Sequence, residues 1–426
     1  MSIPPSTDSS PAPEALALPN SRWKAIGPGI VAAATGVGAG DLVATLAAGS
    51  KLGYTLLWAV LLGVLVKIAL GEAVGRYHLA TGSTLLRGWR SLGVWTSWYF
   101  GVYIVVWGFS YGAAIMMSTG LPLNVMFPIL SITQWGAACA LIGLLLVWLG
   151  GYVLLERIMT FLVGVMFVSV VGTALLLLPD VLPMLGGLWP RLPAGSLIYT
   201  LGLLGGVGGT ITMAAYGYWF NAKGWRGAQW MPFMRLDNAV SYLITGIFVV
   251  AMMIVGTELL HAAGISIAKG DKGLLDLGAI LRQRFGPIIW AIFMIGFWAT
   301  SMTSLLGVWN GVSLMFSDFA RHARSRPEVS GEAATRTPEF RAYVLWLTFP
   351  PMLLVFFVSD NPVQLVLIYG VLGALFMPFL AATLLWLLNW RVDKQHRNGW
   401  LSNVMLTVSL LLFGVLCIAE LLHIGK

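Results

Sequence analysis

The sequence predicts an all-α polytopic membrane protein of about eleven transmembrane helices, and three observations carry that expectation. Of 426 residues only 25 are Lys or Arg and 17 are Asp or Glu, so 10% are charged, while 58% are hydrophobic. A soluble domain carries roughly 25% charged residues to build its solvated surface, and the mean hydropathy here is +0.84. The 19 Trp and 50 Gly fit a bilayer, since Trp favours the membrane interface and Gly the close helix contacts. Together these figures exclude a soluble enzyme, a nucleic-acid-binding module and a disordered regulator. The pI near 9.6 calls for no nucleic acid, because basic residues gather on cytoplasmic loops. Cys139 and Cys417 lie inside apolar stretches and imply no disulfide framework.

Taken in order, residues 1–24 are rich in Pro and Ser and lack the basic-then-apolar pattern of a signal peptide; they read as a disordered cytoplasmic tail. Apolar runs near the length of about 20 residues that a crossing helix needs follow at 27–49, 54–75, 94–119, 134–151, 156–178, 196–221, 236–262, 286–316, 342–359, 363–389 and 401–422. The division this implies is a first five-helix unit over 25–178, a connecting loop over 179–195, a second five-helix unit over 196–389, and an eleventh helix with the C-terminus over 390–426. With the N-terminus inside, 17 basic residues fall on cytoplasmic segments and seven outside, with Lys67 within a span. That asymmetry places the N-terminus in the cytoplasm and the C-terminus outside. The outer segment 263–285 has helical spacing of Leu and Ile, as an amphipathic helix lying along the interface would. The inner segment 318–341 is polar, with mixed charges, and reads as a solvated linker.

Two spans carry more glycine than packing requires. The first holds Gly36, Gly38 and Gly40 just before Asp41; the sixth holds Gly202, Gly205, Gly206, Gly208 and Gly209. Each glycine disfavours continuous helix by about 1 kcal/mol, and unwound backbone at membrane depth survives only where it is buried or lines a polar cavity. Gly-interrupted spans five apart point to an inverted repeat with a substrate site at the breaks. Tight packing through small residues is the plainer explanation of either cluster alone.

A charge within a span costs at least a few kcal/mol. Asp41, amid the glycines, would set a carboxylate beside freed carbonyls and so suit a cation; it would also serve to cap the second half of a broken helix. Lys67 and Glu72 sit in the inner half of the second span, where Lys67 would snorkel to the cytoplasmic surface and Glu72 pair with Arg76 at i+4. Glu258 and His261 close the seventh span near the outer interface, while His78, His322 and His396 fall in cytoplasmic loops. The third span has no Asp, Glu or His of the kind that lines a proton path. No HExxH, GxSxG or GxxxxGK[ST] is present, nor a Cys/His cluster at ligand spacing. The chemistry on offer is coordination and passage, with no catalytic residues and no cofactor.

The residues resemble a known family, the Nramp (natural-resistance-associated macrophage protein) divalent metal transporters. The matching features are GPG at 27–29, LAAGSKLGYTLLWAVLL at 46–62 and RYHLATG at 76–82. Further on, Arg235, Asp237, Asn238 and Ser241 fall where that family begins its seventh helix, ATSMTSLLGVWNG at 299–311 is similar to its eighth, and MPF at 377–379 to the Pro-Phe of its tenth. The resemblance implies a LeuT-like fold of two inverted five-helix repeats plus one helix. It also implies a divalent metal cation as transported substrate in a bilayer, here the bacterial inner membrane, and a monomer or weak homo-oligomer.

The binding motif departs from that family. Its first-helix Asp-Pro-Gly-Asn reads Gly38-Ala39-Gly40-Asp41 here, so the Asp position has become Gly38 and the Asn position Asp41. Its sixth-helix Met-Pro-His falls on Met213, Ala214 and Ala215, or, shifted by one, puts Thr212 in the Met place; Thr210 then falls where the family offers a carbonyl. A glutamine of its tenth helix corresponds to Gly370, and its third-helix acids are missing. A wide site with one carboxylate suits a hydrated Mg²⁺, whereas a thioether from Met213 suits Mn²⁺ or Fe²⁺. Nramp-related magnesium transporters are a precedent for such a site and for transport without proton coupling. The expected metal set is Gly38, Ala39, Asp41, Thr210, Thr212 and Met213. An amino-acid or organic-amine transporter of the same fold, or a non-transporting membrane protein with a degenerate site, are the alternatives.

An odd span count is open to test. Alkaline phosphatase fused after Lys426 is expected to be active and a fluorescent protein there dark; the reverse pattern refutes the orientation or the count.

Overall fold

The computed structural model describes residues 27–206, 209–264, 271–358 and 362–424; the expected tail at 1–24 lies outside them. Span 1 is two helices, α1 (Pro28–Gly36) and α2 (Ala39–Leu52), and a 3-10 turn leads into α3 (Leu57–Thr81), the second span. A short α4 (Leu85–Leu92) precedes α5 (Val94–Met126), span 3, and α6 (Ile132–Leu149), span 4. Ser131 starts α6 with a capping box, its hydroxyl accepting from the Gln134 amide while the Gln134 side chain returns to the Ser131 amide. That exchange satisfies two of the amides a helix start leaves open. Span 5 is α7 (Tyr152–Met166), continued through a π-helical turn into α8 (Gly172–Leu176).

After α9 (Val181–Gly186), span 6 is again two pieces, α10 (Leu197–Gly206) and α11 (Tyr216–Lys223), joined through the 3-10 turn Ile211–Ala215. Span 7 is α12 (Met231–Val255) with a terminal π-helical turn; α13 (Asp271–Ala323) contains span 8; α14 (Glu332–Thr335) is a single turn; α15 (Pro338–Phe357), α16 (Pro362–Trp390) and α17 (Trp400–Ile424) are spans 9 to 11. Among the described residues nine helical stretches are long and apolar enough to cross a membrane, the first of them joining α2 to α3. Spans 1 and 6 are the ones cut short, as their glycines predict. The protein is a multi-span all-α membrane protein.

Packing gathers the helices into two groups that share a seam. α5, α6, α13 and α15 pack on one another, and so do α1, α2, α3, α10, α11 and α12; α1 also packs on α13, α2 and α11 touch the first group, and α7 and α16 touch members of both. Outward faces carry bare apolar side chains such as Trp98, Phe161, Trp390 and Trp400, as lipid-facing surface does.

Two loop expectations change. Residues 271–285 are helical, but Leu277 and Leu281 are fully buried and Gly278 packs near Val125 and Trp290. The helix turns into span 8 at Gly286, where φ is 81°, so its apolar face lies on protein. The inner segment 318–341 is tied down by Glu339, whose side chain is 2% exposed and meets Arg326 at 2.6 Å, Arg321 at 3.4 Å and Arg324 at 3.8 Å. Sequence spacing shows mixed charge there but not that one carboxylate gathers three guanidinium groups.

Spans 3 and 4 cross through glycines that tolerate nothing larger: a Cβ at Gly120 would overlap the Ile132 carbonyl oxygen, and one at Gly136 the Met116 carbonyl oxygen. Both obstacles are backbone. Gly120→Val and Gly136→Val are each expected to cost about 1–3 kcal/mol or more and lower the melting temperature in detergent, whereas Gly164→Ala, which meets nothing within 4 Å, leaves it within error.

A candidate cation site where two broken helices meet

The breaks in spans 1 and 6 lie against each other. A Cβ added to Gly209 would stand 3.1 Å from the Gly36 Cα and overlap the Thr212 hydroxyl. Gly209 also has φ at 85°, a conformation glycine adopts without the usual steric cost. Breaking a helix frees amides at one cut end and carbonyls at the other; two buried side chains from other spans reach carbonyls at the breaks, and a third holds the start of α1.

The start of α1 is held by Asp237 of α12, which is fully buried. Its carboxylate accepts from the Gly27 amide at 2.9 Å, the Gly29 amide at 2.5 Å and the Tyr216 hydroxyl at 2.7 Å. A carboxylate there also opposes the positive end of the helix dipole. At the other end of α1, Ser304 of α13 donates to the Thr35 carbonyl at 2.7 Å, and Tyr111 of α5 hydrogen-bonds Ser304 at 2.7 Å.

The third is Lys67. Its expected snorkel to the cytoplasm is wrong: the side chain is 0% exposed and its Nζ donates to the Gly209 carbonyl in the span-6 break, with the Met377 sulfur of α16 at 3.9 Å. The break offers it a carbonyl in the interior. Glu72 behaves as its spacing predicts, meeting Arg76 at 3.1 Å, and also Arg235 at 3.0 Å. His78, read as a loop residue, lies in the last turn of α3, 4% exposed and 3.3 Å from the Asn221 amide oxygen.

Of the expected metal residues, Thr210, Thr212 and Met213 are buried at the span-6 break. The Thr210 and Thr212 hydroxyls have no hydrogen-bond partner among the described residues. The Thr210 carbonyl accepts from the Met213 amide at 3.2 Å; the carbonyl that already holds a cationic group is that of Gly209, one residue earlier. Gly38 sits in the span-1 break, and Ala39 and Asp41 begin α2; the side chains at 39–41 lie outside the described residues. Lys67, Met377 and Asp237 are the contributors that sequence reasoning missed. A charge stranded in a span was the visible signal for Lys67, and the GPG start of span 1, with bare amides and no acid of its own, was the signal for Asp237.

Comparison with known proteins decides the family. The profile described as "Natural resistance-associated macrophage protein-like" matches residues 29–423. The chain belongs to the Nramp family. It is 27% identical over 314 residues to the divalent metal cation transporter MntH of Chromohalobacter salexigens, covering 69% of this chain and 70% of that one. Its backbone superposes with a TM-score of 0.74 on a crystal structure of the Eremococcus coleocola manganese transporter, at 15% identity and covering 97% and 90% of the two chains. MhsT bound to L-phenylalanine matches at 0.60, with 15% identity and 92% and 97% covered. At such identities these structures establish the LeuT-like fold alone, and the family assignment places the chain among transporters rather than enzymes. Against the Nramp pattern, the Gly38 position leaves no room for a carboxylate, since a Cβ there would overlap the Ser304 side chain. Gly370 is looser, a Cβ there meeting only the Gly202 Cα at 3.6 Å.

Removing the Asp237 carboxylate strands two amides and a hydroxyl, each costing about 1–3 kcal/mol when buried without a partner. Asp237→Ala should therefore lower stability by several kcal/mol, and Tyr216→Phe by only about 1 kcal/mol. Thermal unfolding in detergent that ranks the two variants equal would contradict this role.

Proposed function

We propose that this protein is a secondary transporter that carries a divalent metal cation inwards across the bacterial inner membrane by alternating access, without proton coupling. The observation that carries the reading is the Gly209 carbonyl, which receives a cationic group at the junction of the two breaks, deep among the spans. Carbonyls of broken helices are where membrane carriers hold cations. Asp41 supplies the main charge, the carbonyls at Gly38, Ala39 and Thr210 add oxygens, and Thr212, whose hydroxyl lies beside Gly209, takes the place beside them that Met213 would otherwise fill. A second thioether is at hand in Met377, whose sulfur lies 3.9 Å from the Lys67 Nζ. Oxygen donors suit hard ions and a thioether softer ones; Mn²⁺ accepts both, ahead of Mg²⁺ and Fe²⁺. The relatives named above are called divalent metal cation and manganese transporters, in keeping with that choice.

The N-terminus is cytoplasmic in this reading, so the basic face of the molecule is the inner one. There Tyr218 and Thr84 donate to Asp318 at 2.5 and 2.8 Å, and Trp219 donates to Asn310 at 3.1 Å. The Tyr218 and Trp219 bonds join one helix group directly to the other, so they close the inner side and must part for release. The working unit is a monomer or weak homo-oligomer in the bilayer.

A second reading, an amino-acid or organic-amine carrier, has one observation in its favour. Trp107 and Tyr111 stack at 4.9 Å, Tyr369 meets Tyr111 edge-on at 5.1 Å, and Tyr111 reaches the span-1 break through Ser304. A thermal-shift screen of metals against amines separates the two, because a ligand that binds the folded state raises its melting temperature.

The test is uptake into proteoliposomes. Mn²⁺ entry is expected, unchanged by an imposed proton gradient, and at least tenfold slower for Asp41→Ala. Absence of both Mn²⁺ and Mg²⁺ entry, or full activity of Asp41→Ala, refutes the reading.

A further inference from the structure

Lys67 is the cationic group on the Gly209 carbonyl, but the transport cycle proposed above gives it no role. Its side chain is fully buried, it comes from the second span, and its Nζ sits on the freed carbonyl of Gly209 beside the Met377 thioether. A buried ammonium is tolerated only where paired groups offset its lost hydration. Its partners include a carbonyl and a thioether, two of the donors assigned above to the substrate ion. A hydroxyl pair, Thr210 and Thr212, lies buried next to that carbonyl and is left over.

We infer that Lys67 is a tethered cation: in the empty protein its ammonium takes up the Gly209 carbonyl, and a substrate cation must push it aside to bind. The inference rests on the cation-transport reading and names what sets the affinity and selectivity of that same site. Two positive charges contesting one carbonyl in a low-dielectric interior repel strongly. The ammonium therefore weakens every competing cation. A monovalent ion, with one charge to offer Asp41 and the carbonyls, gains less from displacing it than a divalent ion does. Lys67 is thus a specificity-determining residue that excludes the abundant monovalent cations.

The experiment measures Mn²⁺ and Na⁺ binding to the purified full-length protein by calorimetry, for the wild type, Lys67→Met, Lys67→Gln and Lys67→Arg. Monodisperse elution in detergent identifies the variants that fold, and Lys67→Gln keeps a donor for the Gly209 carbonyl should Lys67→Met not fold. Both neutral variants are expected to bind Mn²⁺ at least tenfold more tightly, about 1.4 kcal/mol, and to gain measurable Na⁺ affinity. Lys67→Arg, which keeps the charge, stays near the wild type. In the Asp41→Ala background the gain disappears. Equal Mn²⁺ affinity in wild type and neutral variants, or weaker binding in the variants, overturns the tethered-cation role while leaving the transport reading intact. Folded wild type and variants that bind neither Mn²⁺ nor Mg²⁺ overturn both.

Discussion

A helix cut in the middle of a membrane leaves amides and carbonyls that lipid cannot satisfy, and the architecture of this protein follows from how those groups are met. Each unsatisfied group costs several kcal/mol in hydrocarbon, so a break persists only if neighbouring spans send polar side chains to it. Asp237 from span 7 takes the first amides of α1, Ser304 from span 8 takes the Thr35 carbonyl at its end, and Lys67 from span 2 takes the Gly209 carbonyl. Two other spans are thereby committed to the breaks and a third to the start of α1, and their packing around α1, α2, α10 and α11 follows.

That commitment also sorts what can move. Asp237 joins α12 to α1 and, through Tyr216, to α11, all within one group of helices; Lys67 likewise joins α3 to the span-6 break. Those bonds hold one group together as a unit. The bonds from Ser304 to Thr35 and from Asp318 to Tyr218 cross to the other group. Single hydrogen bonds of this kind contribute about 0.5–1.5 kcal/mol net, weak enough to open and re-form while the carboxylate-centred contacts stay whole. A rocking motion between the groups, pivoting on the breaks, is the motion this distribution of bonds permits.

How much of this is legible without coordinates depends on whether a feature is local. Hydropathy over about 20 residues locates a span without reference to its neighbours, which is why all eleven spans are visible, with ends displaced by several residues where loops are apolar. Clustered glycines are local too, and both breaks fall where they predict. Partners are not local. Lys67 and the Gly209 carbonyl are 142 residues apart, and Asp237 is 210 from Gly27. Snorkelling was the reasonable expectation for a lysine in the inner half of a helix, because it needs no partner at all. The glycine-for-aspartate change at Gly38 was visible as a difference from the family, but its cause, the Ser304 side chain filling that space, depends on a helix 266 positions downstream. A motif aligned on sequence alone assigns ligands by position, whereas here the carbonyl that holds the Lys67 ammonium is one residue before Thr210 and the sulfur beside it is that of Met377.

The opposition of Asp41 and Lys67 bears on how such a carrier returns empty. A transporter whose site holds a lone carboxylate must either cross back with a proton bound or occlude an unneutralised charge, at a cost of several kcal/mol. Proton-coupled carriers take the first course and keep a relay of acids or histidines for it, and the third span here contains neither. An ammonium carried by the protein itself removes the need. In the proposed cycle Lys67 re-engages the Gly209 carbonyl when the substrate leaves and sets its positive charge against the Asp41 carboxylate. On that proposal the empty site reorients without a proton. On this argument the missing third-span acids and the buried lysine are one change rather than two, since a site that carries its own counter-charge has no use for a proton path.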